Sequence, residues 1–165
     1  LSLHGRSSDL SKTLIAYFSA TGTTAKIAQD LAQQTGADLY EIQPENPYSQ
    51  KDLNWVNPLS RTMREYVGKN KVPIKGICSS MSEYDTVILG FPIWFFKQPN
   101  VILSCMSQYD FRGKTMSFFA TSHKAGIEKS TADLKKICPD ATWKTGILAN
   151  EKSSKDMKAW FSTII

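Results

Sequence analysis

Three stretches of the chain are apolar at nearly every position: Thr13–Phe18, Thr86–Leu89 and Thr115–Ala120. A strand covered on both faces carries such a near-continuous apolar run, whereas a strand with one wet face alternates apolar and polar residues. The pattern therefore predicts three buried strands of a parallel sheet.

Two shorter segments complete the predicted sheet. Leu39–Ile42 is a short second strand in chain order, which Pro44 and Pro47 bring to an end. Ala141–Leu148 carries the fifth and last strand. The chain is thus expected to contribute five strands.

Apolar residues with helical spacing predict one helix between the first and second strands and another between the second and third. The apolar residues of Thr24–Thr35 share one helical face, and Gly36 supplies the stop. Pro58 suits the start of a second helix that continues to Gly68. The apolar face predicted for this second helix consists of Leu59, Met63, Tyr66 and Val67.

Three more helices are predicted in the second half of the chain. Pro99 opens one of them, and the next begins near Ser130, where Asp133 is placed for a capping-box-like arrangement. The last helix is amphipathic because its apolar residues follow the i, i+3, i+4, i+7 spacing of one helical face. The inward residues of the first and last of these helices are Val101, Ile102, Cys105 and Met106, and Met157, Trp160, Phe161 and Ile164.

Strand and helix signals thus alternate about five times, which predicts one α/β domain over residues 12–165. Right-handed crossovers then give a doubly wound parallel sheet with helices on both faces. Residues 1–11 lack the apolar core of a signal peptide and are interpreted as a flexible leader or a cloning scar. Ligands of such sheets bind beyond the carboxyl ends of the strands, so the loops after the first, third and fourth strands are the candidate sites.

The loop after the first strand is unusually rich in hydroxyl groups. A helix N-terminus presents unpaired N–H groups and a partial positive charge, which suits a phosphate. Gly22 allows the backbone to approach closely, and four side-chain hydroxyls offer further hydrogen bonds. The residues predicted to hold a phosphate are Ser19, Ala20, Thr21, Gly22, Thr23 and Thr24.

Other interpretations of this loop are weaker. An ordinary polar helix cap also uses Ser and Thr, but it needs one such residue rather than a cluster. The loop contains no lysine, which excludes a Walker A site, and the Gly-x-Gly-x-x-Gly fingerprint of dinucleotide sites is absent from it. A monophosphate held by hydroxyls and amides is the simplest fit.

Composition and charge narrow the class of protein further. The formal net charge is +5, which favours an anionic ligand or partner, although scattered lysines argue against nucleic acid. No apolar run approaches the roughly 20 residues needed to span a membrane. The three cysteines, Cys78, Cys105 and Cys138, are odd in number and widely spaced, which indicates a reducing, cytoplasmic location and no disulfide framework. With two histidines and no Cys-x-x-Cys pair, no metal site is expected.

From Lys12 onward the chain resembles the flavodoxin family, in its short type. The segment Lys12–Gly36, with Tyr17–Ala28 at its centre, is similar to the first strand, phosphate loop and first helix of flavodoxins. The resemblance continues through Leu39–Ile42, Leu53–Trp55, Ser60–Arg61, Leu89–Trp94 and Tyr109–Lys114. It implies five strands in the order 2-1-3-4-5, bound FMN and a redox role.

Two further loops would then contact the flavin. A flavin ring needs apolar walls, and three adjacent aromatic residues lie just after the third strand, of which Trp94 is the best candidate for stacking. Trp55 could close over the ligand or pack on the second helix. The remaining residues predicted to bind the cofactor are Pro92, Ile93, Phe95 and Phe96 in the second loop and Thr121, Ser122, His123 and Gly126 in the third. Alternatively, the aromatic run forms a hydrophobic plug between loop and helix, and His123 is a solvated surface residue.

These features favour an FMN-binding electron-transfer protein, a redox carrier rather than a stand-alone oxidoreductase. A first alternative is an FMN-dependent NAD(P)H:quinone or nitro reductase. A second is a flavodoxin fold with weak or lost FMN binding that acts as a binding module. Because the chain is basic, the expected partner is an acidic redox protein or a small-molecule acceptor. No side chain is predicted to act as a general acid or base.

Overall fold

The computed structural model describes residues 12–68 and 71–165. The predicted leader, residues 1–11, lies outside the described residues. In chain order the strands are β1 (Thr13–Tyr17), β2 (Asp38–Glu41), β3 (Gln43–Pro44), β4 (Ile74–Lys75), β5 (Thr86–Pro92), β6 (Thr115–Thr121), β7 (Thr142–Trp143) and β8 (Ile147–Leu148). The helices are α1 (Thr23–Thr35), α2 (Arg61–Gly68), α3 (Asn100–Ser107), α4 (Glu128–Ile137) and α5 (Ser154–Ser162).

The central sheet is parallel and follows the order β2-β1-β5-β6-β7, with β8 also paired to β6. This is the predicted doubly wound order, because β5 and β6 are the third and fourth strands of the main sheet. β3 and β4 form a separate antiparallel pair beside it. The fold class expected from the sequence is therefore confirmed.

The three apolar runs are buried at every position except Thr115, which is half-buried. β1, β5 and β6 contribute alternate residues to two cores, one on each face of the sheet. α1 and α5 cover one face, and α3 and α4 cover the other. Among the described residues, no helix is both long enough and apolar enough to cross a membrane.

The fifth predicted strand is interrupted. Residues 141–148 form β7 and β8 instead of one strand, and both pair with β6. Between them, the Ser117 hydroxyl donates to the backbone carbonyls of Lys144 and Thr145 at 3.1 Å each. The Ser117 side chain therefore engages two backbone carbonyls that lie between β7 and β8, where an unbroken fifth strand would hydrogen-bond to the β6 backbone.

The start of α2 differs from the prediction. The helix begins at Arg61 rather than Pro58, because residues 57–60 form a turn. In this turn the Asn57 carbonyl accepts from the Ser60 N–H at 3.0 Å. Leu59 lies before the helix and is 77% exposed, and Val67 within the helix is 69% exposed, so neither faces the core as predicted.

The start of α4 also differs. It begins at Glu128, and Asp133 does not cap it. The Asp133 carboxylate instead accepts from Gln98 Nε2 at 3.3 Å and lies 3.8 Å from Lys97 Nζ. The carboxylate therefore ties α4 to the segment after β5.

Candidate functional site

Three loops meet at the carboxyl edge of the sheet and enclose a cleft of about 170 Å³. The loops follow β1, β5 and β6, as predicted for a doubly wound sheet. The cleft is lined by Ala20, Thr21, Thr23, Thr24, Pro92, Ile93, Trp94, Thr121, Ser122, His123 and Asn150. The fold thus brings residues from all three predicted loops to one place.

The first loop turns sharply at Gly22, whose φ of 99° lies in the left-handed region. The Gly22 N–H donates to Ser19 Oγ at 3.1 Å, and its carbonyl accepts from Lys26 N–H at 3.0 Å. A glycine adopts this conformation at little cost, whereas other residues are strained there. Gly22 therefore lets β1 lead directly into α1.

The N-terminus of α1 opens towards the cleft. Within residues 12–68 and 71–165, no side chain caps this helix end by a hydrogen bond. The first N–H groups of a helix have no partner inside the helix and carry a partial positive charge. Thr21 and Thr23 line the cleft beside them and are exposed. This donor set suits an anion such as a phosphate.

The hydroxyl of Thr24 is committed inside the protein. Its Oγ1 lies 3.0 Å from Thr121 Oγ1, and both side chains are buried. Of the four hydroxyls predicted for the phosphate, the structure thus engages Ser19 with Gly22 and Thr24 with Thr121. The Thr24–Thr121 contact joins the first loop to the end of β6.

The three adjacent aromatic residues of the second loop point in different directions. Phe95 has φ 65°, and the Trp94 N–H donates to the Lys97 carbonyl at 3.0 Å, so the chain reverses within four residues. Trp94 remains at the cleft, whereas Phe95 packs on Tyr66 of α2 with ring centroids 4.8 Å apart. Phe96 is 61% exposed. Phe95 and Phe96 therefore lie outside the cleft, contrary to expectation, because the left-handed turn separates neighbouring side chains.

Trp94 forms part of an aromatic cluster. Its ring meets Phe18 at 5.4 Å and Tyr48 at 4.9 Å between centroids, both edge-on. Ile93 beside it is 8% exposed. Together they give the cleft the apolar wall that a flat aromatic ligand requires.

The third loop places Thr121, Ser122 and His123 at the cleft. Gly126 is not among the residues that line the cleft, and a Cβ at that position would meet the Glu128 carboxylate at the start of α4. The loop bends away from the cleft before it reaches this glycine.

Asn150 lines the cleft, although no sequence motif predicts it there. Its Oδ1 accepts from the Ser122 N–H at 2.7 Å, which fixes the backbone of the third loop. Asn150 follows β8, whose carboxyl end lies at the same sheet edge as the other loops. Its position after the last strand is the signal that could have identified it.

Two predicted contacts lie elsewhere. Ser19 lines a second cleft, of about 230 Å³, which adjoins the first at Ala20 and is also lined by Phe18 and Tyr48. Trp55 is 69% exposed and is not among the residues that line the main cleft.

The family model for flavodoxin matches residues 12–164. The chain therefore belongs to the flavodoxin family. This confirms the predicted family and fold, and membership of the family supports FMN as the cofactor. A comparison with curated protein sequences finds no match.

Solved structures agree with this assignment. A candidate flavoprotein from Bacteroides eggerthii is 42% identical, with a TM-score of 0.89 over 94% of this chain and 98% of that one. A candidate flavoprotein from Bacteroides uniformis is 38% identical, with a TM-score of 0.87 over 92% and 98% of the two chains. A Lactobacillus acidophilus flavoprotein in complex with FMN is 18% identical, with a TM-score of 0.68 over 89% and 99%, and shares the fold.

Proposed function

We propose that this protein binds FMN in the three-loop cleft and transfers electrons to and from it. The observation that carries the proposal is the convergence of two features on one cleft at the carboxyl edge of the sheet: a helix N-terminus that no described side chain caps, and an aromatic wall. The first fits a monophosphate and the second fits a flavin ring. FMN combines both groups in one molecule.

The phosphate would bind at the start of α1. The donors are the N–H groups of the first helical turn and the hydroxyls of Thr21 and Thr23. Gly22 supports the fit, because the space where its Cβ would stand holds no described atom within 4 Å. A phosphate can therefore approach the backbone of the loop closely.

The flavin ring would lie between the second and third loops. Trp94 with Ile93 and Pro92 supplies the apolar wall, and the backbone of Thr121–His123 supplies polar groups for the ring edge. The hydrogen bond from Ser122 to Asn150 keeps that backbone in place. When bound, FMN supplies the electron chemistry, whereas the protein supplies binding, orientation and electrostatics.

Charge supports an acidic partner. The formal net charge of +5 attracts negatively charged surfaces and repels basic ones, so an acidic redox protein would associate faster than a basic one. A small anionic or neutral acceptor is also compatible with this charge. The favoured function is therefore that of an electron carrier with an acidic partner.

The first experiment is to purify the protein and identify its flavin. We expect a yellow protein that releases FMN, and that the apo-protein quenches FMN fluorescence upon rebinding. Thr21→Val, Thr23→Val and Trp94→Ala variants should each bind FMN more weakly, because each removes a donor or part of the wall. Absence of binding at micromolar FMN would contradict the proposal and favour the binding-module alternative.

An FMN-dependent NAD(P)H:quinone or nitro reductase is the second candidate, and the basic charge is the observation that favours it. Acidic carriers usually dock on basic reductases, and a basic protein would be repelled by such surfaces. A small-molecule acceptor needs no docking surface, so the positive charge is no obstacle to it. NADPH added anaerobically without a partner distinguishes the two candidates. Rapid bleaching of the flavin followed by quinone-dependent reoxidation would favour the reductase.

A further inference from the structure

Arg61 holds together the long connection that leads into α2. Its Nη1 donates to the carbonyls of Asn46 at 2.7 Å and Pro47 at 3.3 Å, and lies 3.7 Å from Asp52 Oδ2. Its Nε donates to Glu65 Oε2 at 2.9 Å, one helical turn further on. One planar guanidinium thus ties residues 46–52 to the first turns of the helix.

Tyr48 is clamped between the same two charged residues. The Arg61 guanidinium lies 3.8 Å from the centre of the Tyr48 ring, and the phenol donates to Glu65 Oε1 at 2.5 Å. The Glu65 carboxylate therefore accepts a hydrogen bond from the Tyr48 phenol with one oxygen and from the Arg61 guanidinium with the other. Burial, followed by the hydrogen bond to Glu65, raises the pKa of Tyr48, so the phenol remains a donor.

The Tyr48 ring also contacts the aromatic wall of the cleft. The Tyr48 ring meets Trp94 edge-on at 4.9 Å and 73°, and meets Phe18 at 5.6 Å. The Trp94 backbone is fixed by its turn with Lys97, but the orientation of its indole depends on the rings against it. Tyr48 therefore connects an ionic cluster on α2 with the wall of the cleft.

We propose that Tyr48 is a positioning residue: Arg61 and Glu65 fix its ring, and the ring sets the plane of Trp94 against which the flavin stacks. This inference rests on the proposed function. A fixed wall places the flavin in one orientation, whereas a loose wall would let the indole turn and weaken stacking. Because Tyr48 does not line the main cleft, the clamp would act on cofactor binding through Trp94.

The test compares Tyr48 with a matched tyrosine at the other end of the sheet. Tyr48→Phe keeps the ring and removes its bond to Glu65, and Tyr48→Leu removes the ring. Tyr84→Phe is the control, because the Tyr84 phenol donates to Asp38 Oδ2 at 2.7 Å just before β5, away from the carboxyl edge. Arg61→Lys keeps the charge and loses the planar fork.

The readouts are the dissociation constant for FMN, from fluorescence quenching, and the visible circular dichroism of bound flavin. Tyr48→Leu should weaken FMN binding by about tenfold, the equivalent of one aromatic pair, and Tyr48→Phe by less. Both should alter the dichroism of the flavin, as should Arg61→Lys. Tyr84→Phe should leave both readouts at wild-type values even if it melts earlier.

Two results would overturn the inference, and they are distinguishable. If wild-type protein binds FMN and the Tyr48 and Arg61 variants differ only in melting temperature, Tyr48 has a merely structural role. If wild-type protein binds no FMN, the proposed function fails and this inference falls with it. Tyr48→Phe and Arg61→Lys keep the test decisive if Tyr48→Leu does not fold.

Discussion

Thr24 and Thr121 lie 97 positions apart in the chain, yet their side-chain hydroxyls are 3.0 Å apart in the interior. The contact joins the first turn of α1 to the last residue of β6, so one hydrogen bond links the end of the first cleft loop to the start of the third. Any change in one loop is therefore expected to reach the other.

Removing one partner of this pair should destabilise the protein. Thr24→Val keeps the shape and leaves the buried Thr121 hydroxyl without its partner, which costs about 1–3 kcal/mol. Urea unfolding measures the loss. In the Thr24→Val/Thr121→Val double variant both polar groups are gone, so much of the stability should return. If the two losses simply add, the hydroxyls are not coupled.

The turn at Gly22 should matter for both stability and cofactor binding. Gly22→Ala forces a Cβ into left-handed backbone at φ 99°, at a cost of about 1–2 kcal/mol. Gly36→Ala is the matched control, because Gly36 ends the same helix at φ 78°. Both variants should unfold at lower urea concentration, but only Gly22→Ala should weaken FMN binding. Equal FMN affinity in the two variants would place the phosphate elsewhere.

Asn150 should act on the third loop. Asn150→Ala removes the acceptor of the Ser122 N–H and frees the loop backbone, so the FMN affinity should fall several-fold, as expected for loss of about 1 kcal/mol. Asn150→Asp keeps an acceptor oxygen at this position. It should bind FMN more tightly than Asn150→Ala does, which a fluorescence titration measures. The opposite order would argue against this role.

Gly90 lies where the sheet has no room for a side chain. A Cβ there would clash with the end of the Phe119 ring, and both residues are buried. Gly90→Ala should therefore cost about 1–3 kcal/mol through overpacking, seen as a lower melting temperature. The cost should be smaller in a Phe119→Leu background, which removes the clashing ring atoms. An equal cost in both backgrounds would point to backbone effects instead.

Stability should fall in alkaline solution because of a buried thiol. Burial raises the pKa of Cys105 from 9.0 to about 12, so between these values the folded chain keeps a proton that the unfolded chain releases. The stabilisation is complete below about pH 9 and is lost as pH rises towards 12. Urea unfolding at pH 7, 9 and 10.5 should show this decline, and Cys105→Ala should make it shallower. An unchanged slope in Cys105→Ala would assign the decline to other groups, such as Tyr84, whose pKa burial raises to about 12.

Much of the fold could be predicted because its signals are local. Continuous apolar runs specify β1, β5 and β6, since a strand between two helical layers has no wet face. The ends of α1 follow from two glycines that adopt left-handed backbone. The predicted start of α4 is less accurate, because the Asp133 carboxylate does not cap its own helix. It accepts from Gln98 and pairs with Lys97, which belong to the segment after β5.

The candidate site likewise has features that the local sequence predicts and features that depend on contacts between distant residues. By itself the sequence determined that a hydroxyl-rich loop follows a buried strand and opens a helix, because strand, glycine and helix are adjacent in the chain. Only the tertiary structure decided that Trp94 faces the cleft while Phe95 and Phe96 do not, since a left-handed residue reverses the turn. It also placed Asn150 in the cleft and Tyr48 against the ring of Trp94. Their neighbours come from distant parts of the chain, and no local pattern encodes contacts that form only when the sheet assembles.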